Sequence, residues 1–259
     1  YNTDLIDENG SWLKQTDRYN SSSDVSCTAA QMPRLVGLAM ASKLYRSEKL
    51  FHNPKFSVNG NEVAWGTIGN ASTSEGLFFE SLNAAGVHQI PMVISIWDDD
   101  YGISVDNSFQ TVKESISEAL SGFKRNKSKD GFEIFSVKGW DYTNLIHTFQ
   151  KAGEISRTNH VPVLIHVTEL TQPQGHSTSG SHERYKSENR LKWEKENDCN
   201  LKFRSWIIDN NIAIEAELEA IETSTQEKAK KAKESAWEAS LKPIRNEAEQ
   251  LTNCLSDIG

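Results

Sequence analysis

Cysteine is scarce in this chain of 259 residues: Cys27, Cys199 and Cys254 are odd in number and far apart. They offer neither a disulfide framework nor a zinc site, and they fit a reducing cytoplasm. No apolar run approaches the length of a membrane span, and no signal peptide is visible. An excess of positive charge is also missing. The net charge of -8 argues against a general nucleic-acid binder, because phosphate contact needs clustered Lys and Arg. The chain starts Tyr1-Asn2-Thr3-Asp4 without an initiator Met, so the sequence reads as the interior of a longer polypeptide.

Apolar residues, by contrast, are sufficient. Hydrophobic residues make up 37% and charged residues 25%, with 7 Trp and 10 Phe, a balance that closes a core and excludes a wholly disordered chain. Residues 1–24 are polar and turn-rich and read as an extended surface segment. Leu35, Leu38, Ala39, Ala41 and Leu44 space a helical stripe over residues 32–50. Lys43, Arg46 and Lys49 load its carboxyl end, as the helix dipole favours.

Alternation then sets in. Residues 62–68 are rich in strand formers and end at Gly69, and Ser72 and Glu75 have capping-box spacing for a helix reaching His88. Phe78, Leu82, Ala85 and Gly86 share one face of that helix. Residues 91–97 form a short apolar run suited to a strand covered on both faces, which completes a βαβ crossover. Val112, Ile116, Leu120 and Phe123 predict another helix, residues 132–137 a strand, 143–159 a helix and 161–167 a buried strand. The pattern predicts an α/β fold, an open and mostly parallel sheet with helices on both faces. Residues 172–181 lack any aliphatic or aromatic side chain and read as a loop. From Ser187 onward the chain is charged, mostly helical and without Gly until its last residue. The organisation expected is 1–24 as the extended segment, 25–186 as the α/β domain and 187–259 as a charged helical extension.

Ligands of parallel sheets collect at the carboxyl ends of strands, where helix N-termini also point. Two loops belong there: Gly69-Asn70-Ala71-Ser72, and Asp98-Asp99-Asp100-Tyr101. A small-residue turn that opens a helix presents backbone N–H groups to a diphosphate. Carboxylate and amide oxygens suit Mg²⁺. On these residues alone, an ordinary strand-to-helix turn and a solvated acidic loop are the readings to prefer.

The stretch from Gly69 to Ser104 (GNASTSEGLFFESLNAAGVHQIPMVISIWDDDYGIS) resembles the thiamine-diphosphate motif of 2-oxoacid dehydrogenase alpha chains, Gly-Asp-Gly, a spacer, then Asn-Asn. Residues 26–33 (SCTAAQMP) and Gly175-His176-Ser177-Thr178-Ser179 resemble two further segments of that family, in the family's order. The likeness spans residues 25–185 and is nearest to the branched-chain type, including a bacterial subgroup in which alpha and beta chains are fused. It implies a thiamine-diphosphate-binding fold with thiamine diphosphate and Mg²⁺ as cofactors. It implies Asn70, Asp99 and the Tyr101 carbonyl as metal ligands, and Ser26, Thr28, Gly69, Asn70, Ala71, Ser72, Tyr101, Ile103 and His176 as cofactor contacts.

Asn70 stands where the family has Asp, and Asp99 where it has its second Asn, so the exchange preserves one carboxylate and one amide. Ala71 replaces a Gly. Gln172, four positions before His176, replaces an Arg that meets the diphosphate, with Arg184 and Lys186 as substitute charges. His176 is the implied catalytic residue, and His182 is a second candidate for ordering the loop. Ser26 and Thr28 also read simply as the start of a helix.

The family's activating Glu comes from a beta chain, and no segment here resembles one. The resemblance therefore implies half an active site: an alpha part working with a beta part and passing acyl groups to a lipoyl acyltransferase component in the cytoplasm, with no nucleic acid and no membrane. The competing expectations are a cofactor-free alpha-like scaffold, and another thiamine enzyme such as a transketolase-like or acetoin-cleaving relative.

Overall fold

Two apolar strands covered on both faces organise the molecule. The computed structural model describes residues 3–22, 25, 27–176 and 182–256. In chain order its elements begin with α1 (Gln31–Ser47), β1 (Ala64–Gly69), α2 (Gly76–His88), β2 (Met92–Trp97), β3 (Tyr101–Gly102) and β4 (Val105–Asp106). There follow α3 (Ile116–Ala119), β5 (Glu133–Lys138), α4 (Tyr142–Asn159), β6 (Val163–Thr168), α5 (Glu188–Glu196), α6 (Cys199–Asp209) and α7 (Glu215–Ser256). Residues 1–203 and 204–259 form two compact units.

In the first unit the strands pair in the order β1-β2-β6-β5, all parallel, and β3 with β4 makes a separate antiparallel hairpin. The expected α/β class with an open parallel sheet is the class observed. The side-chain alternation of a strand divides the core in two. Met92, Ile94 and Ile96 of β2, with Leu164 of β6, join Leu35, Ala39, Phe78, Leu82 and Ala85 under α1 and α2. Val93 of β2 and Val163, Ile165 and Val167 of β6 face the other way, onto Ala152, Leu145 and Phe149 of α4. Both faces are thus dry, which is why these two strands read as continuous apolar runs.

The expected helix through Val112, Ile116, Leu120 and Phe123 is a correction. That stretch is two 3₁₀ turns flanking the single turn α3, with Lys113 and Glu114 at positive φ. Ile116 and Leu120 are still buried, so the spacing marked the core face while the backbone between the turns broke. Helix α1 ends at Ser47 rather than at residue 50. Its Arg46 turns back to donate to the carbonyls of Gly60 (2.9 Å), Arg157 (2.8 Å) and Thr158 (3.2 Å), closing the carboxyl end of α4.

The second unit contains the end of α6 and the 42-residue helix α7, which carries Pro243. Arg204 joins the two helices through Glu215 (2.6 Å) and Glu222 (2.5 Å). Ile221, Trp237, Ile244 and Leu251 lie exposed along α7. Among the described residues no helix is long and apolar enough to cross a membrane.

His160 caps α4 in the left-handed conformation, its Nε2–H donating to the Gly60 carbonyl at 2.8 Å. Burial, together with the charges of Arg46 and Lys43, pulls its pKa below the ordinary histidine value despite that hydrogen bond. The unfolded chain therefore takes up a proton that the folded chain resists, and stability falls as pH drops through the ordinary value of about 6.5. Asn tolerates the left-handed cap. Chemical denaturation between neutral and mildly acid pH is expected to show a shallower acid loss in His160→Asn than in the parent; parallel curves refute this.

Candidate functional site at the carboxyl end of the sheet

The two loops singled out in the sequence leave the sheet side by side. Gly69 is in register with Trp97 across β1 and β2. The Asn70 N–H donates to the Trp97 carbonyl at 3.1 Å, and the Asp98 N–H donates to the Val167 carbonyl at 2.9 Å. Asn70 and Asp98 are therefore the first residues past adjacent strand ends. The loops also touch. A Cβ on Gly102 would lie 2.6 Å from the Ala71 methyl and would clash with the Gln110 carboxamide. The methyl that Ala71 brings in place of glycine is directed at the β3 backbone.

Beyond Asn70 the chain makes a 3₁₀ turn, Ala71–Ser74, before α2 begins. Thr73 donates its hydroxyl to the Asn70 carbonyl at 2.6 Å. The expected capping box is absent: Glu75 is the cap residue of α2 and no side chain caps it. The extra turn moves Ser72 out of the capping position, and its backbone carbonyl accepts the Glu75 N–H instead. Asn70 is 4% exposed, and among the described residues its Nδ2 has no hydrogen-bond partner. A buried amide donor without a partner costs about 1–3 kcal/mol, and it is the kind of group that an oxyanion of a bound ligand satisfies.

Three consecutive carboxylates follow β2, each in a different setting. Asp98 is buried; it accepts the Asp100 N–H at 2.9 Å and the His166 Nε2–H at 2.8 Å, while Ser117 hydrogen-bonds the other ring nitrogen at 2.8 Å. Asp100, at φ 67°, forms an ion pair with Arg190. Asp99 accepts the Tyr101 N–H at 3.3 Å. Burial raises its pKa above the ordinary carboxylate value, against the opposing pull of that N–H and the Lys186 charge. A carboxylate whose charged form is penalised in this way gains from an added cation. Among the described residues no group of three or more His, Cys, Asp or Glu side chains stands together as a metal cage. A cation here would depend on Asp99, an Asn70 amide oxygen and main-chain or ligand oxygens, a hard-oxygen set suited to Mg²⁺ with phosphate.

The remaining candidates divide. Ile103 follows the hairpin strand β3, with φ at 59° and its side chain 63% exposed. A β-branched residue in that region is an outlier. Thr28 is exposed in the turn before α1, whose Gln31 reaches the Thr67 carbonyl at 3.3 Å, near the end of β1. His176 is exposed, its backbone hydrogen-bonded to the Tyr185 hydroxyl. The Tyr185 ring lies 5.6 Å from that of Tyr101, so the base of the His176 loop sits against the acidic turn. His182 is paired with Glu183 at 3.2 Å, and among the described residues its buried Nδ1 has no hydrogen-bond partner. Ser26 and residues 177–181 fall outside the described residues. Arg184 is exposed, and Lys186 is buried on Glu194 at 2.7 and 2.9 Å. Lys186 is therefore already neutralised and is no substitute for the missing arginine.

Sequence reasoning missed His166, Arg190 and Glu194. His166 had a signal: it is the one polar side chain in the apolar run VPVLIHV. Arg190 and Glu194 had none, because their segment reads as a solvated charged helix.

Fold and site together define an α/β protein with polar loops side by side at the carboxyl ends of neighbouring parallel strands. The profile of the dehydrogenase E1 component family matches residues 14–245, and the chain belongs to that family. It is 28% identical over 224 residues to a pyruvate dehydrogenase E1 component subunit alpha of Rickettsia bellii, covering 86% of this chain and 61% of that protein. It is 23% identical over 223 residues to the 2-oxoisovalerate dehydrogenase subunit alpha of Bacillus subtilis, covering 83% and 61%. The chain thus spans about three-fifths of the length of these relatives. A solved transketolase from Campylobacter jejuni aligns over 65% of this chain and 25% of its own, with a TM-score of 0.42 and 19% identity.

Left-handed backbone costs a non-glycine residue roughly 1–2 kcal/mol. Ile103→Gly is expected to stabilise the ligand-free chain by about 0.5–1 kcal/mol in urea denaturation, net of glycine's greater freedom when unfolded. A loss of that size instead would show that the Ile103 side chain supports the fold.

Proposed function

We propose that this chain is the alpha part of a 2-oxoacid dehydrogenase decarboxylating component, holding the diphosphate–Mg²⁺ end of thiamine diphosphate. The observation that supports this is the placement of Asn70 and Asp99 just beyond the ends of adjoining parallel strands, within a member of the dehydrogenase E1 component family. In this reading Asp99 supplies the negative charge of the metal shell, and Asn70 supplies either an amide oxygen to the metal or its buried N–H to a diphosphate oxygen. The Tyr101 carbonyl is the third protein ligand. Gly69, Ala71, Ser72 and Ile103 line the cofactor path, with Ser26 and Thr28 approaching from the start of α1.

Thiamine diphosphate, when bound, supplies the carbon nucleophile and the electron sink for decarboxylation. The chain's own residues orient its anionic end and handle protons beside it. His176 is assigned to the substrate oxygen, as hydrogen-bond donor or proton donor. The carboxylate that activates the cofactor is assigned to a beta part, so the two parts act together and pass acyl groups to lipoyl carriers. The names of both relatives, subunits alpha of an E1 component and of a 2-oxoisovalerate dehydrogenase, support this division of labour. We assign the branched-chain type from the likeness of residues 25–185.

Calorimetry on the assembled alpha–beta enzyme tests the reading directly: thiamine diphosphate is expected to bind only with Mg²⁺ present. Asp99→Ala should weaken Mg²⁺ and cofactor together by roughly 10–100-fold or more; unchanged affinity removes Asp99 from the metal shell. A wild-type enzyme that binds no cofactor removes the proposal itself. With an artificial electron acceptor, branched 2-oxoacids should be decarboxylated faster than pyruvate. His176→Ala should lower that rate about 100–10,000-fold while cofactor binding persists. A preference for pyruvate would overturn the branched-chain assignment alone.

A further inference from the structure

Helix α5 carries a side-chain network that the function proposed above leaves unused. Arg190 commits all three guanidinium nitrogens: Nη2 donates to the Asp99 carbonyl at 2.7 Å, Nε donates to Glu194 at 2.9 Å, and Nη1 pairs with the Asp100 carboxylate. Its flat faces lie 5.4 Å from the Tyr101 ring centre and 4.8 Å from that of Trp193. Glu194 is 2% exposed and is held from the far side by Lys186, itself 1% exposed. Lys186 also donates to the Gln172 carbonyl at 3.3 Å. Two cations meet two carboxylates, Asp100 and Glu194, so the network is neutral. Burying the Lys186–Glu194 pair is costly unless geometry and hydrogen bonding are satisfied, and here both carboxylate oxygens of Glu194 are engaged.

The consequence lies in the acidic turn. His166 and Ser117 fix Asp98 from the sheet side, and Arg190 fixes the Asp99 carbonyl and the Asp100 side chain from the helix side. Of the three carboxylates, Asp98 and Asp100 have cationic or imidazole partners, while among the described residues the Asp99 side chain accepts only backbone N–H groups. With its main chain pinned on both sides, that side chain and the Tyr101 carbonyl have a set direction.

We infer that Arg190 is a positioning residue: backed by Glu194 and Lys186, it pins the Asp99 carbonyl and thereby aims the Asp99 carboxylate and the Tyr101 carbonyl as a preformed pair of oxygens for the metal. The inference rests on the function proposed above for the identity of the ligand, and on the hydrogen bonds alone for the clamp. Lysine keeps the charge of Arg190 but cannot form the planar fork, so Arg190→Lys separates geometry from charge. Mg²⁺ demands near-ideal octahedral geometry and Ca²⁺ tolerates irregular shells, which gives a readout that a purely structural staple would not move.

The test uses the full-length enzyme assembled with its beta part. Mg²⁺ and Ca²⁺ affinities are measured by calorimetry at saturating thiamine diphosphate, and backbone amide exchange is measured by mass spectrometry without cofactor. Arg190→Lys is expected to weaken Mg²⁺ by roughly 10–100-fold, to shift the metal preference towards Ca²⁺, and to speed exchange in the peptide covering residues 98–102. Unchanged Mg²⁺ affinity and unchanged preference in a folded variant overturn the inference, as does exchange that rises equally along the whole chain. Should Arg190→Lys fail to fold, Asp100→Asn, which removes one half-exposed partner, is expected to give the same pattern in smaller size, and its absence is equally decisive. If the wild type binds no cofactor, the proposed function fails while exchange at residues 98–102 still decides the clamp.

Discussion

In-register parallel pairing of β1 with β2 and of β2 with β6 is the constraint from which the site follows. It places Asn70 and Asp98 one residue beyond hydrogen-bonded neighbours, so two loops far apart in sequence start from one line. The register is not negotiable. Side chains of a strand alternate between faces, and both faces of β2 and β6 are dry. A slip of one residue would exchange every core contact on one side of the sheet for its opposite. The packing that stabilises the fold is therefore also the device that aligns the polar groups, with no separate structure devoted to that purpose.

Electrostatics then differentiates what the backbone has aligned. Three adjacent aspartates would repel one another at close range in a poorly solvated turn. The fold resolves this by giving the outer two partners from different directions, imidazole from the sheet and guanidinium from the helix. Among the described residues the side chain of the middle one, Asp99, accepts only backbone N–H groups. Among the described residues the turn thus sets a carboxylate held only by backbone N–H groups near a buried amide nitrogen without a hydrogen-bond partner.

Much of the scaffold was legible because it obeys simple periodicities. Strands β2 and β6 declared themselves as short, mostly apolar runs, and α1 and α2 by their stripes. The failure at residues 112–123 is instructive. Apolar residues four apart fit a helix, yet they fit equally a chain of separate turns that happen to present the same side to the core. The positive φ of Lys113 and Glu114 leaves no trace in side-chain chemistry. In the site, Asn70 and Asp99 were visible through the motif they modify. His166 was visible in principle as a polar interruption of a buried strand. Arg190 and Glu194 were hidden because their helix is charged on every face, and only tertiary contact reveals that one face is dry.

The partners of the acidic turn also differ in when they become available. His166 follows Asp98 by 68 residues and Arg190 follows Asp100 by 90. At a synthesis rate of about 5–20 residues per second, the aspartates wait on the order of 5–20 s for their second set of partners. Until His166 is made, β2 also lacks β6, the neighbour that covers its open edge. The nascent chain therefore carries an exposed apolar strand ending in three clustered negative charges. Charge at a strand end discourages edge-to-edge pairing with other chains. The same aspartates that later form the acidic turn thus act as gatekeepers of an incomplete sheet on the ribosome.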